Sequence, residues 1–177
     1  SDFINLCLND NLSAEITLQP LKKFDFDAAI IFSDILMLPY GLGQKVKFEK
    51  NFGPKLENLD LKNISKLDEI DFVEKIYPVY KAIKKVSSDS IIKNKNTIGF
   101  VGAPWTLLVY MINLKSPKKD LNKNFFKDEF LINRILLLIE KFLKVHIKNQ
   151  IKNGATVIQI FDSWAGLLKE KDLPNYV

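Results

Sequence analysis

Thr97-Ile98-Gly99-Phe100-Val101-Gly102-Ala103-Pro104-Trp105 reads as a buried strand that breaks at Gly102 and restarts as a helix at Pro104. Proline suits a first helical position, and the N–H groups of the turn behind it stay available to a carboxylate or phosphate. Two further runs share the strand's character, Ala28-Ala29-Ile30-Ile31-Phe32 and Thr156-Val157-Ile158-Gln159-Ile160-Phe161. Each is nearly continuously apolar, which predicts strands buried on both faces of a parallel sheet.

Helical patterns separate the three runs. Leu131, Ile135, Leu138, Phe142 and Val145 recur at alternating steps of four and three, predicting one long helix whose apolar stripe runs along them and whose end is set by Asn153-Gly154. Phe72, Ile76, Val79, Ile83 and Val86 predict a second, started by Ser65 or Asp68 and kinked by Pro78. Ala14, Leu18 and Leu21 mark a first helix, capped by Asn11 or Ser13 and interrupted at Pro20. Helix and strand therefore alternate, the order of an α/β protein with right-handed crossovers. The first two strands begin roughly 70 residues apart where a simple βαβ unit needs roughly 30, so something is inserted between them. Gln44-Lys45-Val46-Lys47-Phe48-Glu49, bounded by Gly41, Gly43 and Gly53-Pro54, predicts a small hairpin-like arm near residues 38–60.

Composition narrows the classes. A chain of 177 residues with 47% hydrophobic and 27% charged residues is sized for one cored, soluble domain and lacks the profile of a disordered one. Phe130 to Ile147, the most apolar window, is broken by Asn133, Arg134, Glu140, Lys141 and Lys144, so no membrane span is expected. The single cysteine, Cys7, cannot form an intramolecular disulfide and leads us to expect a reduced, cytoplasmic protein. The chain opens Ser1-Asp2-Phe3 without a basic and apolar leader, so we expect a fragment without a signal peptide. The net charge of +5 is carried almost wholly by scattered lysines, with Arg134 the one arginine, which disfavours nucleic-acid binding because base and phosphate readout favour arginine forks.

Polar residues come directly after each strand: Ser33-Asp34, Gly102-Ala103-Pro104-Trp105 and Asp162-Ser163. Ligands of parallel α/β folds sit at the carboxyl ends of strands, so these three segments are expected to meet at one site. Asp34 should emerge at the rim of a low-dielectric core, poised to accept from cationic or N–H groups; a helix cap or a lysine partner would equally account for it. Trp105 reads as packing, while Tyr110, a turn and a half along, can point its hydroxyl back to the site. Asp162-Ser163 lacks a Gly-x-Ser-x-Gly elbow, and His146, the one histidine, lies in the long helix, so a Ser-His-Asp triad is disfavoured. His146 is expected at the core edge or in solvent rather than as a ligand. No Cys/His cluster, Walker loop or Gly-x-Gly-x-x-Gly occurs.

The strand-end segments Phe26-Asp27-Ala28-Ala29-Ile30-Ile31-Phe32-Ser33-Asp34-Ile35-Leu36, Gly99-Phe100-Val101-Gly102-Ala103-Pro104-Trp105-Thr106-Leu107 with Tyr110-Met111, and Gln159-Ile160-Phe161-Asp162-Ser163-Trp164-Ala165-Gly166 resemble the uroporphyrinogen decarboxylase family. Leu18-Gln19-Pro20 and Leu173-Pro174 are similar to it as well. The resemblance implies a (β/α)8 TIM-type barrel, of which 177 residues supply an incomplete portion, since such a barrel takes about 250. It implies a homodimeric carboxy-lyase of haem biosynthesis that converts the four acetates of uroporphyrinogen III to the methyls of coproporphyrinogen III without metal or cofactor. It further implies that Asp34 accepts hydrogen bonds from the pyrrole N–H groups, with Tyr110 and Ser163 as further substrate contacts. The family's arginine-rich N-terminal segment and its late histidine have no counterpart here, so the isolated stretch is expected to be inactive. The competing expectation is a zinc-dependent corrinoid or thiol methyltransferase of the same barrel superfamily, against which the Ser33-Asp34 and Gly-Ala-Pro-Trp segments speak.

Overall fold

In the computed structural model, which describes residues 3–64, 66–117, 121 and 127–176, three parallel strands form one sheet in the order β1-β4-β5. These are β1 (Ala28–Ile30), β4 (Asn96–Gly102) and β5 (Val157–Phe161). The register pairs Ile30 with Ile98, Ile98 with Val157 and Gly102 with Phe161. Strands are added in chain order with no reversal; after the short α1 (Phe3–Cys7), the helices α2 (Asp10–Lys23), α5 (Glu69–Ser87) and α7 (Glu129–Lys152) accompany them, α5 and α7 returning the chain between neighbouring strands.

The helices cover one face of β1 and β4, while on β5 Ile160, paired with Val101, stays 52% exposed on that side. Ala29, Ile31, Thr97, Gly99 and Val101 point into them and are buried. The opposite face carries Ile30, Val157 and Phe161, which remain 58%, 43% and 40% exposed. Burial on both faces, expected for all three strands, is therefore not found within this chain. A one-sided cover is what the wall of a barrel presents, its uncovered face being the barrel interior, where Phe100 and Phe161 already meet edge to face at 5.5 Å.

β1 is shorter than the apolar run that encodes it. Ile31 N–H still donates to Ile98 O, but at Phe32 two hydroxyls of α2 take over the backbone: Ser13 donates to Phe32 O at 2.7 Å and Phe32 N–H donates to Thr17 at 2.8 Å. Neither Asn11 nor Ser13 is the helix cap, since α2 starts ahead of both. Asn9 caps α2 instead, accepting from the N–H groups of Asn11 and Leu12, and the helix runs through Pro20 to Lys23.

α5 buries the whole expected stripe, Phe72, Ile76, Val79, Ile83 and Val86. Each such side chain contributes about 1.5–3 kcal/mol. Asp68 caps the helix by accepting from Asp71 N–H, and Pro78 leaves Ile76 in a non-helical conformation, which kinks it. Ser65, the alternative start, lies outside the described residues. α7 is turned relative to expectation: Ile132, Ile135, Ile139, Phe142 and His146 face the core, whereas Leu131, Leu138 and Val145 are only partly buried. Gly154 ends it at φ +111°, where Ser87 leaves no room for a Cβ. Gly99 is needed because Gln150 of α7 packs on the strand and donates to Phe100 O.

The insertion between β1 and β4 begins with α3 (Met37–Gly41) and contains the antiparallel hairpin of β2 (Val46–Glu49) and β3 (Gly53–Leu56), followed by α4 (Leu61–Ile64). Gln44 is not part of the hairpin. It is buried and donates to Glu57 O and Met111 O, tying the base of the arm to α6 (Pro104–Asn113).

His146 belongs to the core, against the expectation of a core-edge or solvated residue. Its Nδ1 lies 2.9 Å from the Tyr80 hydroxyl, and burial pushes its pKa down to about 4. A histidine kept neutral by folding stabilises fully above its unfolded pKa near 6.5, and that contribution is lost as pH falls toward 4. We expect Tyr80→Phe, which strips His146 of its partner, to cost about 1–3 kcal/mol in urea unfolding at pH 7.5. Equal stability of the variant and the parent would show that the buried pair contributes nothing.

Candidate active site

Parallel pairing sets the ends of β1, β4 and β5 at one edge of the sheet, and each strand leads there into a segment of different chemistry. After β1 the chain turns at Ser33-Asp34. Asp34 Oδ1 accepts from Leu36 N–H at 2.7 Å and its carbonyl accepts from Met37 N–H, so the residue folds the chain into the start of α3. Part of the capping alternative is therefore realised. The lysine alternative is not, since among the described residues no cation pairs with Asp34. Although half-buried at its surface, the carboxyl is enclosed by enough protein that desolvation raises its pKa to about 6, against the lowering effect of the Leu36 N–H.

After β4, Ala103 N–H donates to Phe161 O and Pro104 opens α6 as expected. The first turn of α6 meets a carboxylate of the chain itself: Thr106 Oγ1 donates to Asp162 Oδ1 at 2.7 Å. Trp105 is fully buried packing, and its indole N–H donates to Trp164 O at 2.8 Å. Tyr110, half-buried on the same helix, has its pKa raised chiefly by burial and further by the negative charge of Asp34, while Trp164 acts in the opposite sense. The two sequence-derived residues Asp34 and Tyr110 thus share one electrostatic environment.

After β5 come Asp162, Ser163 and Trp164. Ser163 is exposed at the strand end. It stands between Asp162, held by Thr106, and Trp164, whose ring meets Tyr110 edge to face at 5.9 Å. The indole N–H of Trp164 is buried and has no partner of hydrogen-bonding geometry among the described residues. Asp162 stands out in the sequence only as part of the Asp162-Ser163 segment after β5, and Thr106 and Trp164 do not stand out as site residues there.

Chemically, the edge offers an anion with no counter-ion among the described residues, a phenol and a serine hydroxyl, bordered by the apolar inner face of the sheet. Such a set accepts hydrogen bonds from N–H donors and favours positive charge arising near it. No helix among the described residues is long and apolar enough to cross a membrane.

The family model for uroporphyrinogen decarboxylase (URO-D) matches residues 1–177. A uroporphyrinogen decarboxylase of Rickettsia bellii is 41% identical over 179 residues, covering 99% of this chain and 52% of the relative. One of Orientia tsutsugamushi is 42% identical, covering all of this chain and again 52% of the relative. This chain therefore spans about half the length of the curated relatives it matches. Among solved structures, a methyltransferase from Methanosarcina mazei superposes with a TM-score of 0.77 at 20% identity, over 96% of this chain and 51% of that one. At that identity the likeness speaks for the fold alone, and the fold is the TIM-type barrel, of which these residues form an incomplete portion. With a one-sided parallel sheet, three motif-bearing strand ends and a match along its whole length, the chain belongs to the uroporphyrinogen decarboxylase family.

Proposed function

We propose that the protein carrying this chain is a carboxy-lyase that removes carbon dioxide from the four acetate side chains of uroporphyrinogen III in haem biosynthesis, giving coproporphyrinogen III. The observation that carries the reading is Asp34: a carboxylate past a strand end, desolvated and without a cation among the described residues, whose charge reaches Tyr110 and raises its pKa. With its pKa near 6 it is mostly ionised at pH 7 despite its surroundings. A ligand offering several N–H donors relieves that unfavourable state, and the inward-facing pyrroles of a porphyrinogen do so.

The chemistry derives from the ring. Protonating a pyrrole carbon next to an acetate-bearing carbon leaves the ring cationic. The C–C bond to the carboxylate then breaks, its electron pair flows into the ring, and carbon dioxide departs. A second proton goes to the exocyclic carbon to form the methyl, and loss of the first proton restores the aromatic pyrrole. The fixed negative charge of Asp34 stabilises the cationic stage, more strongly where water is excluded. Tyr110 and Ser163, at the same edge, supply polar contacts to the substrate. The pyrrole serves as electron sink, so the proposal needs neither metal nor cofactor. The buried Cys7 suits a reducing cytoplasm, and a homodimer is the arrangement the family resemblance supports. A zinc-dependent methyl transfer shares only the barrel with this reading; the Ser33-Asp34 and Gly102-Ala103-Pro104-Trp105 segments support the decarboxylase.

In the full-length protein we expect Asp34→Asn, which keeps the shape and the bond to Leu36, to leave folding intact and lower decarboxylation of uroporphyrinogen by about a hundredfold or more, followed as coproporphyrinogen formed. Undiminished turnover would remove Asp34 from the reaction. In the wild type, kcat/KM is expected to fall on the acid side with an apparent pKa near 6, the value of the free carboxyl.

Asp34 also carries a stability signature. A carboxyl whose pKa is raised on folding stabilises most below its unfolded value of 3.8, and that stability is lost as pH rises through about 6. Asp34→Asn is therefore expected to be more stable than the parent at pH 7.5, by up to about 2 kcal/mol, with the gain roughly halved at pH 5. Denaturation curves at both pH values measure this, and an equal or reversed difference would mean the carboxylate is not desolvated.

A further inference from the structure

The turn that carries Ser163 is held from outside. Thr106, fully buried in the first turn of α6, donates to Asp162 Oδ1 at 2.7 Å and accepts from Trp164 N–H at 3.1 Å. Trp105 Nε1, from the neighbouring position, donates to Trp164 O at 2.8 Å. Both backbone polar groups of Trp164 are thus bonded to α6, and Ser163 sits between two residues tied to one hydroxyl. The same attachment brings the Trp164 ring against Tyr110. A single hydroxyl that donates on one side and accepts on the other does this.

We propose that Thr106 is a positioning residue of the decarboxylation: by clamping Asp162 and Trp164 to α6, its hydroxyl fixes Ser163 and the Trp164 indole in register with Tyr110. The inference rests on the decarboxylase reading and adds to it a residue that never touches the substrate. Placement errors of about an ångström at reacting groups cost as much as about a hundredfold in rate, so a clamp of this kind shows itself in kcat.

Thr106→Val keeps the shape of the side chain and removes both hydrogen bonds, whereas Thr106→Ser keeps both. In the full-length protein we expect Thr106→Val to retain its circular dichroism and lower kcat by about tenfold or more with KM changed less than about threefold, and Thr106→Ser to keep kcat within about threefold. A folded Thr106→Val with kcat within about twofold of wild type, or a Thr106→Ser as impaired as the valine variant, overturns the proposal. If the valine variant does not fold, the serine variant decides by itself: retained kcat supports the clamp, and a roughly tenfold loss with native circular dichroism sinks it. Wild-type protein without turnover on uroporphyrinogen would instead sink the functional reading. The clamp is then read from amide hydrogen exchange at Trp164, where protection lost in Thr106→Val but kept in Thr106→Ser supports it and equal protection in all three proteins overturns it.

Discussion

Parallel strand pairing is the constraint on which the rest of the molecule depends. Two parallel neighbours cannot be joined by a tight turn, so the chain has to travel back along the sheet before each new strand, and an amphipathic helix is the element that does so while burying the strand's face. α5 and α7 do this for β4 and β5. The repetition also delivers three strand ends, with three different polar segments, to one edge. A site assembled there draws on residues more than a hundred positions apart without any one segment containing it.

At that edge the fold keeps a carboxylate in an unfavourable condition. Asp34 gains one backbone N–H and loses much of its water, and the balance is a raised pKa rather than a paired ion. In a structure governed by stability alone a lysine nearby would be the simplest remedy, and this chain is rich in lysine. Some of the lysines are instead engaged in surface pairs such as Lys45 with Glu57 and Lys81 with Asp10. Asp10, Asp25 and Glu140, each with a lysine within reach, have their pKa values lowered, the reverse of Asp34. The contrast supports the proposal that the partner of Asp34 is a ligand.

Much of the scaffold was legible residue by residue. The apolar stripe of α5 is buried at every expected position because a period near 3.6 can be satisfied by one face only. α7 shows the limit of that argument: its apolar residues are dense enough to define two adjacent stripes, and the one through Ile132, Ile139 and His146 wins because it packs against α5 and β4. The Asn11 or Ser13 cap failed for a related reason. Any short polar side chain near a helix start qualifies locally, but Asn9 opens α2 ahead of both, and Ser13, inside the helix, bonds Phe32 nineteen residues away.

The amino-acid sequence by itself determined the alternation of strand and helix, the kink at Pro78, the stop at Gly154 and the presence of Asp34, Tyr110 and Ser163 at or near strand ends, since each depends on residues within a turn or two. Only the tertiary structure decided that Tyr80 is the partner of His146, that Thr106 binds Asp162 and Trp164, and that Asp34 lies close enough to Tyr110 to alter its acidity. Those partners stand some 56 to 76 positions apart along the chain. Periodicity records which side of an element is dry; it carries no information on which polar atom of a distant element will arrive within about three ångströms.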